Sequence, residues 1–192
     1  MNCSLIGKQV RLTAVEPAQA ASLGTEWNRD SEYMRLLDSE PSRLFSAAAI
    51  KPWTEKQAAE DPTQRVFFAI RTLHADELIG IATISGFRWS HRSGWLGIGI
   101  GRREFWGKGL GSDALEIVLC YAFSELNLRR VQLGVFEYNR RAVRTYEKAG
   151  FQIEGRYRKI YQRDGMRFDE PQMGILREHW LAQNTPGAAA SA

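Results

Sequence analysis

Apolar and polar residues alternate along Val10 to Val15 (VRLTAV), the period of a half-buried strand. Pro17 then opens a helix running to about Asn28, since a first helical residue needs no N–H partner within the helix. Residues 29–62 read as broken helical pieces, SEYMRLLD and SAAAIKPWTEKQAAE, separated by Pro41 and bent at Pro52. Three strands follow, Val66 to Arg71, Leu78 to Phe87 and residues 95–101, with short turns at 74–77 and around His91 to Gly94. Gly80 and Gly86 mark bends or bulges in the second of them. Connections this short predict an antiparallel meander.

At Leu110 the period changes. Leu110, Ala114, Leu115, Val118, Leu119, Ala122, Phe123 and Leu126 form an apolar stripe at helical spacing, with Asp113, Glu116, Ser124 and Glu125 largely opposite. This helix separates residues 95–101 from the strand Val131 to Phe136, so those two strands must run parallel. Asn139 suits the N-cap of a further helix that Gly150 stops. Two last strands, about 151–162 and 166–176, are joined by the turn RDG. The pattern describes one α/β (α+β) domain over residues 1–183, a mixed, largely antiparallel sheet of about seven strands with helices on both faces. Residues 184–192 (NTPGAAASA) lack core residues and are expected to be a disordered tail.

Between the third meander strand and the long helix lies EFWGKGLGS, Glu104 to Ser112. Glycines at 107, 109 and 111 remove three β-carbons from a tight bend, so a ligand can approach the backbone and several N–H groups can converge. The helix that follows adds its unpaired N–H groups and positive dipole end, which together make an anion site for a phosphate or pyrophosphate. Walker A fails here, because Lys108 is followed by Gly109 rather than Ser or Thr. Gly109, Gly111 and Ala114 fit GxGxxA, with Glu137 at the end of a later strand, but Arg102 to Lys108 intervene where a Rossmann unit places its glycines directly after the strand. A Rossmann-type dinucleotide binder stays a minor alternative.

Composition narrows the partners. In 192 residues the net charge is +4, with net −2 over residues 1–64 and net +6 beyond, a distribution suited to an anionic cofactor and a cationic acceptor. The basic residues are scattered and no helix-turn-helix or zinc-finger spacing occurs, so nucleic acid is not expected as the primary partner. There is no apolar run of membrane-span length and no signal-peptide core at MNCSLIGKQV, so the expected location is cytoplasmic, away from a membrane. Cys3 and Cys120 suggest neither a disulfide framework nor a metal site.

Asn139 and Tyr146 stand seven residues apart on one helix face. With the order strand, glycine loop, helix, strand and NRRAVRTYEKAGF, the chain closely resembles the GNAT superfamily of N-acyltransferases, most of all its ribosomal-protein alanine and spermidine N-acetyltransferase branch. Its pattern Q/R-x-x-G-x-G/A is matched from Glu104 to Gly109, with Glu at the first position, and N-x-x-A-x-x-x-Y-x-K-x-G-F from Asn139 to Phe151. The resemblance implies acetyl-CoA as co-substrate, bound where the two parallel strands splay, and no metal. Gly99, Ile100 and Gly101 would pair with the pantetheine arm; Trp106, Gly107, Lys108, Gly109, Leu110, Gly111 and Ser112 would cradle the pyrophosphate. Asn139 would bond the pantetheine, Lys148 would approach the phosphates, and Tyr146 would be the catalytic acid at the thioester sulfur.

A primary amine would attack the thioester directly, with a backbone N–H near Gly99 to Gly101 stabilising the oxyanion. No carboxylate stands in Trp95-Leu96-Gly97, where many relatives carry one, and Glu137, Glu104 and Asp30 are weak candidates for a base. A small-molecule polyamine-like amine and a protein or peptide N-terminus both stay open as acceptors, and residues 26–61 hold 8 acidic against 5 basic side chains. A non-catalytic acyl-CoA-binding or sensing module is the competing function. The C-terminal strands offer a surface for a homodimer.

Overall fold

Alternation along the strand Arg65–Thr72 sets the layers. Val66, Phe68 and Ile70 enter one core, while Phe67 and Ala69 pack into a second on the opposite face. In the computed structural model, which describes residues 3–184, the strands are β1 (Val10–Thr13), β2 (Arg65–Thr72), β3 (Leu78–Arg88), β4 (Ser93–Ile100), β5 (Arg130–Gly134), β6 (Gln152–Arg163) and β7 (Met166–Leu176). The helices are α1 (Pro17–Trp27), α2 (Ser31–Leu37), α3 (Ala47–Ala59), α4 (Leu110–Ser124), α5 (Arg140–Lys148) and α6 (Arg177–Asn184). All seven strands join one sheet in the order β1-β2-β3-β4-β5-β7-β6. Every neighbouring pair is antiparallel except β4 and β5. A Rossmann sheet is parallel throughout its nucleotide-binding half, so that alternative falls.

The larger core lies between the sheet and α4. Leu115, Val118, Leu119 and Phe123 are fully buried there, each worth about 2 kcal/mol in apolar area removed from water. Trp180 of α6 joins this core with its ring 5.4 Å from that of Phe123. Periodicity did not announce α6, because eight residues with one deeply buried anchor are too short to show a stripe. Asn184 is the last residue of α6 rather than the start of a tail, and the remainder of the expected tail lies outside the described residues. The second core is smaller and holds Val15, Ala20, Trp27, Tyr33, Ala69 and Leu78. The helix α3 runs on through Pro52 with Ser46 as its N-cap. Gly86 sits at φ +59 beside a register shift between Ser85 and Arg88, and a second shift lies opposite Gly80, as the bend expectation required.

Asp113 departs from the expected pattern. Its place opposite the apolar stripe predicted exposure, yet it is buried and accepts hydrogen bonds from the backbone N–H groups of Lys8 (3.0 Å), Gln9 (2.7 Å) and Val10 (2.9 Å). The first turn of α4 is a favourable place for a carboxylate, because the positive end of the helix dipole lies there. One side chain thereby pins the entry of β1 onto α4. Asp113→Ala should lower unfolding stability by about 2 to 3 kcal/mol, since it strands buried donors, and urea denaturation of the two proteins would measure it. A difference below 0.5 kcal/mol or so would mean water replaces the carboxylate at no cost.

Candidate active site

β4 and β5 pair only where Ser93, Gly94 and Trp95 face Arg130, Val131 and Gln132. Beyond that point the chain after β5 stays with β7: Val135 N–H donates to the Pro171 carbonyl and Glu137 N–H to that of Asp169. β4 keeps its other edge on β3, and Gly101 N–H donates to the Ile79 carbonyl at 2.8 Å. Strand residues turn their N–H and C=O to alternate sides, so odd-numbered residues of β4 face β3 and Ile98 and Ile100 face the gap. Trp106 Nε1–H takes the Ile100 carbonyl at 2.8 Å. A cavity of about 500 Å³ occupies the gap.

One end of the cavity is the glycine bend. Gly107 (φ +73) and Gly109 (φ +83) adopt the left-handed conformation that glycine alone enters freely, and a β-carbon at Gly107 would meet nothing within 4 Å. Gly109 is also the N-cap of α4 and no side chain caps the helix. Asp113 N–H is the first to bond within it, to the Gly109 carbonyl at 2.9 Å, which leaves the N–H groups of Leu110, Gly111 and Ser112 without a helical acceptor. Facing them, Arg141, Arg144 and Lys148 of α5 line the cavity, the first with its guanidinium 4.0 Å above the Trp106 ring. Convergent N–H groups, an open cradle and three cations suit a polyphosphate anion.

The predicted site residues largely meet here. Gly99, Ile100, Trp106, Gly107, Gly109, Gly111, Ser112, Asn139, Tyr146 and Lys148 line the cavity. Gly101, Lys108 and Leu110 do not. Leu110 is buried in the larger core, Lys108 is exposed outside the cavity, and Gly101 lies so near Trp27 that a β-carbon would sit 2.1 Å from the indole. The side chain of Asn139 is engaged at both ends: its Oδ1 accepts from Ala142 N–H at 3.2 Å, and its Nδ2 donates to the Leu36 carbonyl at 3.3 Å. It caps α5 and ties that helix to α2. The Tyr146 hydroxyl has no hydrogen-bond partner among the described residues, and burial pushes its pKa up to about 12.

None of the base candidates reaches the cavity. Glu137 accepts from Asp169 N–H at 2.9 Å, and Glu104 pairs with Arg102. Asp30 caps α2, and the Arg103 guanidinium beside it holds its carboxyl below the usual carboxylate range. Among the described residues no Asp, Glu or His lines the cavity. Sequence reasoning missed Arg141, Arg144, Thr145 and Leu37, which do line it, as does Tyr33 of the aromatic-rich segment 27–53. The spacing of 141, 144, 145 and 148 on the helix of Tyr146 was the available signal for the first three. Nothing local marked Leu37, which arrives with Tyr33 from a distant helix.

That helix is held down by the β6–β7 turn. Arg35 of α2 makes a two-pronged ion pair with Asp164 at 2.9 and 2.8 Å, and Arg163 donates to the Ser39 carbonyl at 2.7 Å. Tyr138 O–H donates to the Arg35 carbonyl at 2.8 Å. Tyr33 then lies buried with its hydroxyl 3.4 Å from where a β-carbon of Gly99 would stand.

The acetyltransferase (GNAT) domain pattern matches residues 9–152. The chain belongs to the GNAT acetyltransferases. It is 28% identical over 175 residues to a prophage-derived, uncharacterised N-acetyltransferase of Bacillus subtilis, covering 91% of this chain and 93% of that one. The spermidine N(1)-acetyltransferase of Escherichia coli is 34% identical over 85 residues, 44% of this chain and 46% of the relative. A spermidine N-acetyltransferase from Vibrio cholerae, solved with CoA and spermine, superposes with a TM-score of 0.78 at 26% identity over 90% of this chain and 98% of its own. This GNAT enzyme is therefore an N-acetyltransferase.

Close approach at Gly101 is testable on its own. Gly101→Ala should displace the Trp27 indole, cost about 2 kcal/mol of stability and shift the tryptophan emission. Unchanged emission and unchanged urea midpoint would show that β4 yields instead of the ring.

Proposed function

We propose that the protein transfers the acetyl group of acetyl-CoA directly to a primary amine, with the splayed gap as the transfer site. The observation that carries this reading is the unpaired inner edge of β4 at Ile98 and Ile100, facing into a cavity that Tyr146 and the glycine bend also line. When bound, the co-substrate supplies a thioester-activated acetyl group. The N–H groups of Leu110 to Ser112, with Arg141, Arg144 and Lys148, would hold its diphosphate. Ile98 would pair with the pantetheine amides, as an added strand pairs with a sheet edge. Gly99 would serve by lacking a side chain, because its own N–H turns toward β3.

The free edge of β4 also offers a backbone N–H to the carbonyl oxygen as negative charge develops on it. Tyr146 O–H would then donate its proton to the departing sulfur. Burial, which pushes its pKa up to about 12, keeps the phenol protonated at neutral pH, so the proton is present where the sulfur departs. The attacking amine must shed a proton, and with no carboxylate or imidazole lining the cavity among the described residues that proton would leave through water. The spermidine-acetylating relatives favour a small amine over a protein N-terminus as acceptor.

Tyr146→Phe should lower kcat by about 10²-fold in a thiol-release assay while leaving the KM for acetyl-CoA within about twofold. In the unaltered enzyme the Tyr146 phenol should produce no alkaline fall in kcat until pH nears 12, because its raised pKa keeps the proton in place. Arg144→Ala and Lys148→Ala should instead raise the KM for acetyl-CoA and spare kcat. An unaltered kcat in the Phe variant would remove Tyr146 from the reaction.

A further inference from the structure

A second cavity, of about 410 Å³, adjoins the first and shares Tyr33 and Leu37 with it. Its other walls are aromatic and aliphatic: Trp27 of α1, Trp53 and Ile50 of α3, Phe67 of β2, Ile81 of β3, and Phe45. The rings are set edge to face, Trp27 against Tyr33 at 6.1 Å and Trp53 against Phe67 at 6.2 Å, a geometry that aromatic groups favour among themselves. Trp53 and Phe45 stand at the solvent side, 51% and 43% exposed, which is unusual for large apolar residues beside a cavity. Asp38 is the single ionisable acid among the residues that line it.

The acidic side chains of residues 26–61 do not converge on this space. Asp30 and Glu32 pair with Arg103, Glu40 with Arg43, Glu55 with Lys51 and Glu60 with Arg65, while Asp61 turns back on Thr63 N–H. A polyamine carries several positive charges at neutral pH and needs several carboxylates to replace its water. One carboxylate among aromatic walls matches a single ammonium on an apolar body.

Resting on the transferase reading above, we infer that the acceptor is a monoamine with an aryl group on a short alkyl chain. The aryl group fills the aromatic cavity, and the chain passes Tyr33 and Leu37 so that the amine reaches the gap beside β4. The amine nitrogen forms the bond to the acetyl carbon, the carbon–sulfur bond breaks, and the amine proton passes to water while the sulfur takes one from Tyr146, which regains a proton from water.

The test compares 2-phenylethylamine, tryptamine, hexylamine and spermidine as acceptors in thiol release with acetyl-CoA, using the full chain and the variants Trp53→Ala and Phe45→Ala. Both positions are at least partly exposed, so the variants should fold. The arylalkylamines should exceed spermidine in kcat/KM by at least about tenfold, and each variant should raise their KM about tenfold with the KM for acetyl-CoA unchanged, the scale of a lost aromatic contact. Spermidine as the better substrate, or variants with unaltered KM for the arylalkylamines, would overturn this inference and leave amine acetylation standing. No thiol release with any amine would overturn both.

Discussion

Two neighbouring strands part company in the middle of this sheet, and the rest of the site depends on that divergence. β5 is held along its length by β7, and β4 by β3, so the two share only the pairs from Ser93 to Trp95. An unpaired strand edge normally lies at the rim of a sheet, where water satisfies it. Here it lies between two covered faces, and the backbone groups of Ile98 and Ile100 require partners. Trp106 supplies one, by donating to the Ile100 carbonyl. The others face the cavity, so a hole in the hydrogen-bond pattern puts backbone donors and acceptors on its wall without any special side chain.

The walls of that groove are held by polar contacts from distant parts of the chain. Asp113 fixes β1 to the head of α4, immediately after the glycine bend. Asn139 joins the N-terminus of α5 to the last turn of α2, and the Arg35–Asp164 pair clamps α2 to the β6–β7 turn. The elements around the first cavity and those around the second are therefore mechanically connected. Tyr33 and Leu37, on the clamped helix, form the partition between the two cavities. Any change in how α2 sits would alter both at once.

Charge divides along the same partition. The first cavity carries Arg141, Arg144 and Lys148, whereas the second is aromatic and includes Asp38. A reader of composition alone sees an acidic first third and imagines a cationic groove-binder. Ion pairs with arginines occupy Asp30, Glu32, Glu40 and Glu60, and the second cavity is left with aromatic walls and one carboxylate.

The sequence by itself determined every strand of the sheet, the parallel pair, the α4 and α5 helices and the glycine bend, because each is written in local period, turn residues or the chain length between elements. It also brought Tyr146, Asn139 and the bend into one site, through spacing on a helix and a resemblance carried by their order. Tertiary structure alone decided which residues of β4 face the gap, since alternation fixes two sides but not which side is empty. It decided that Asp113 is buried, that Gly101 serves the packing of Trp27, and that Asn139 is a tie between helices. It decided the lining of the second cavity as well. Trp27, Tyr33, Phe45, Trp53 and Phe67 are scattered over forty-odd residues and three kinds of element, and no local pattern records that helices packed on a sheet will turn them toward one space.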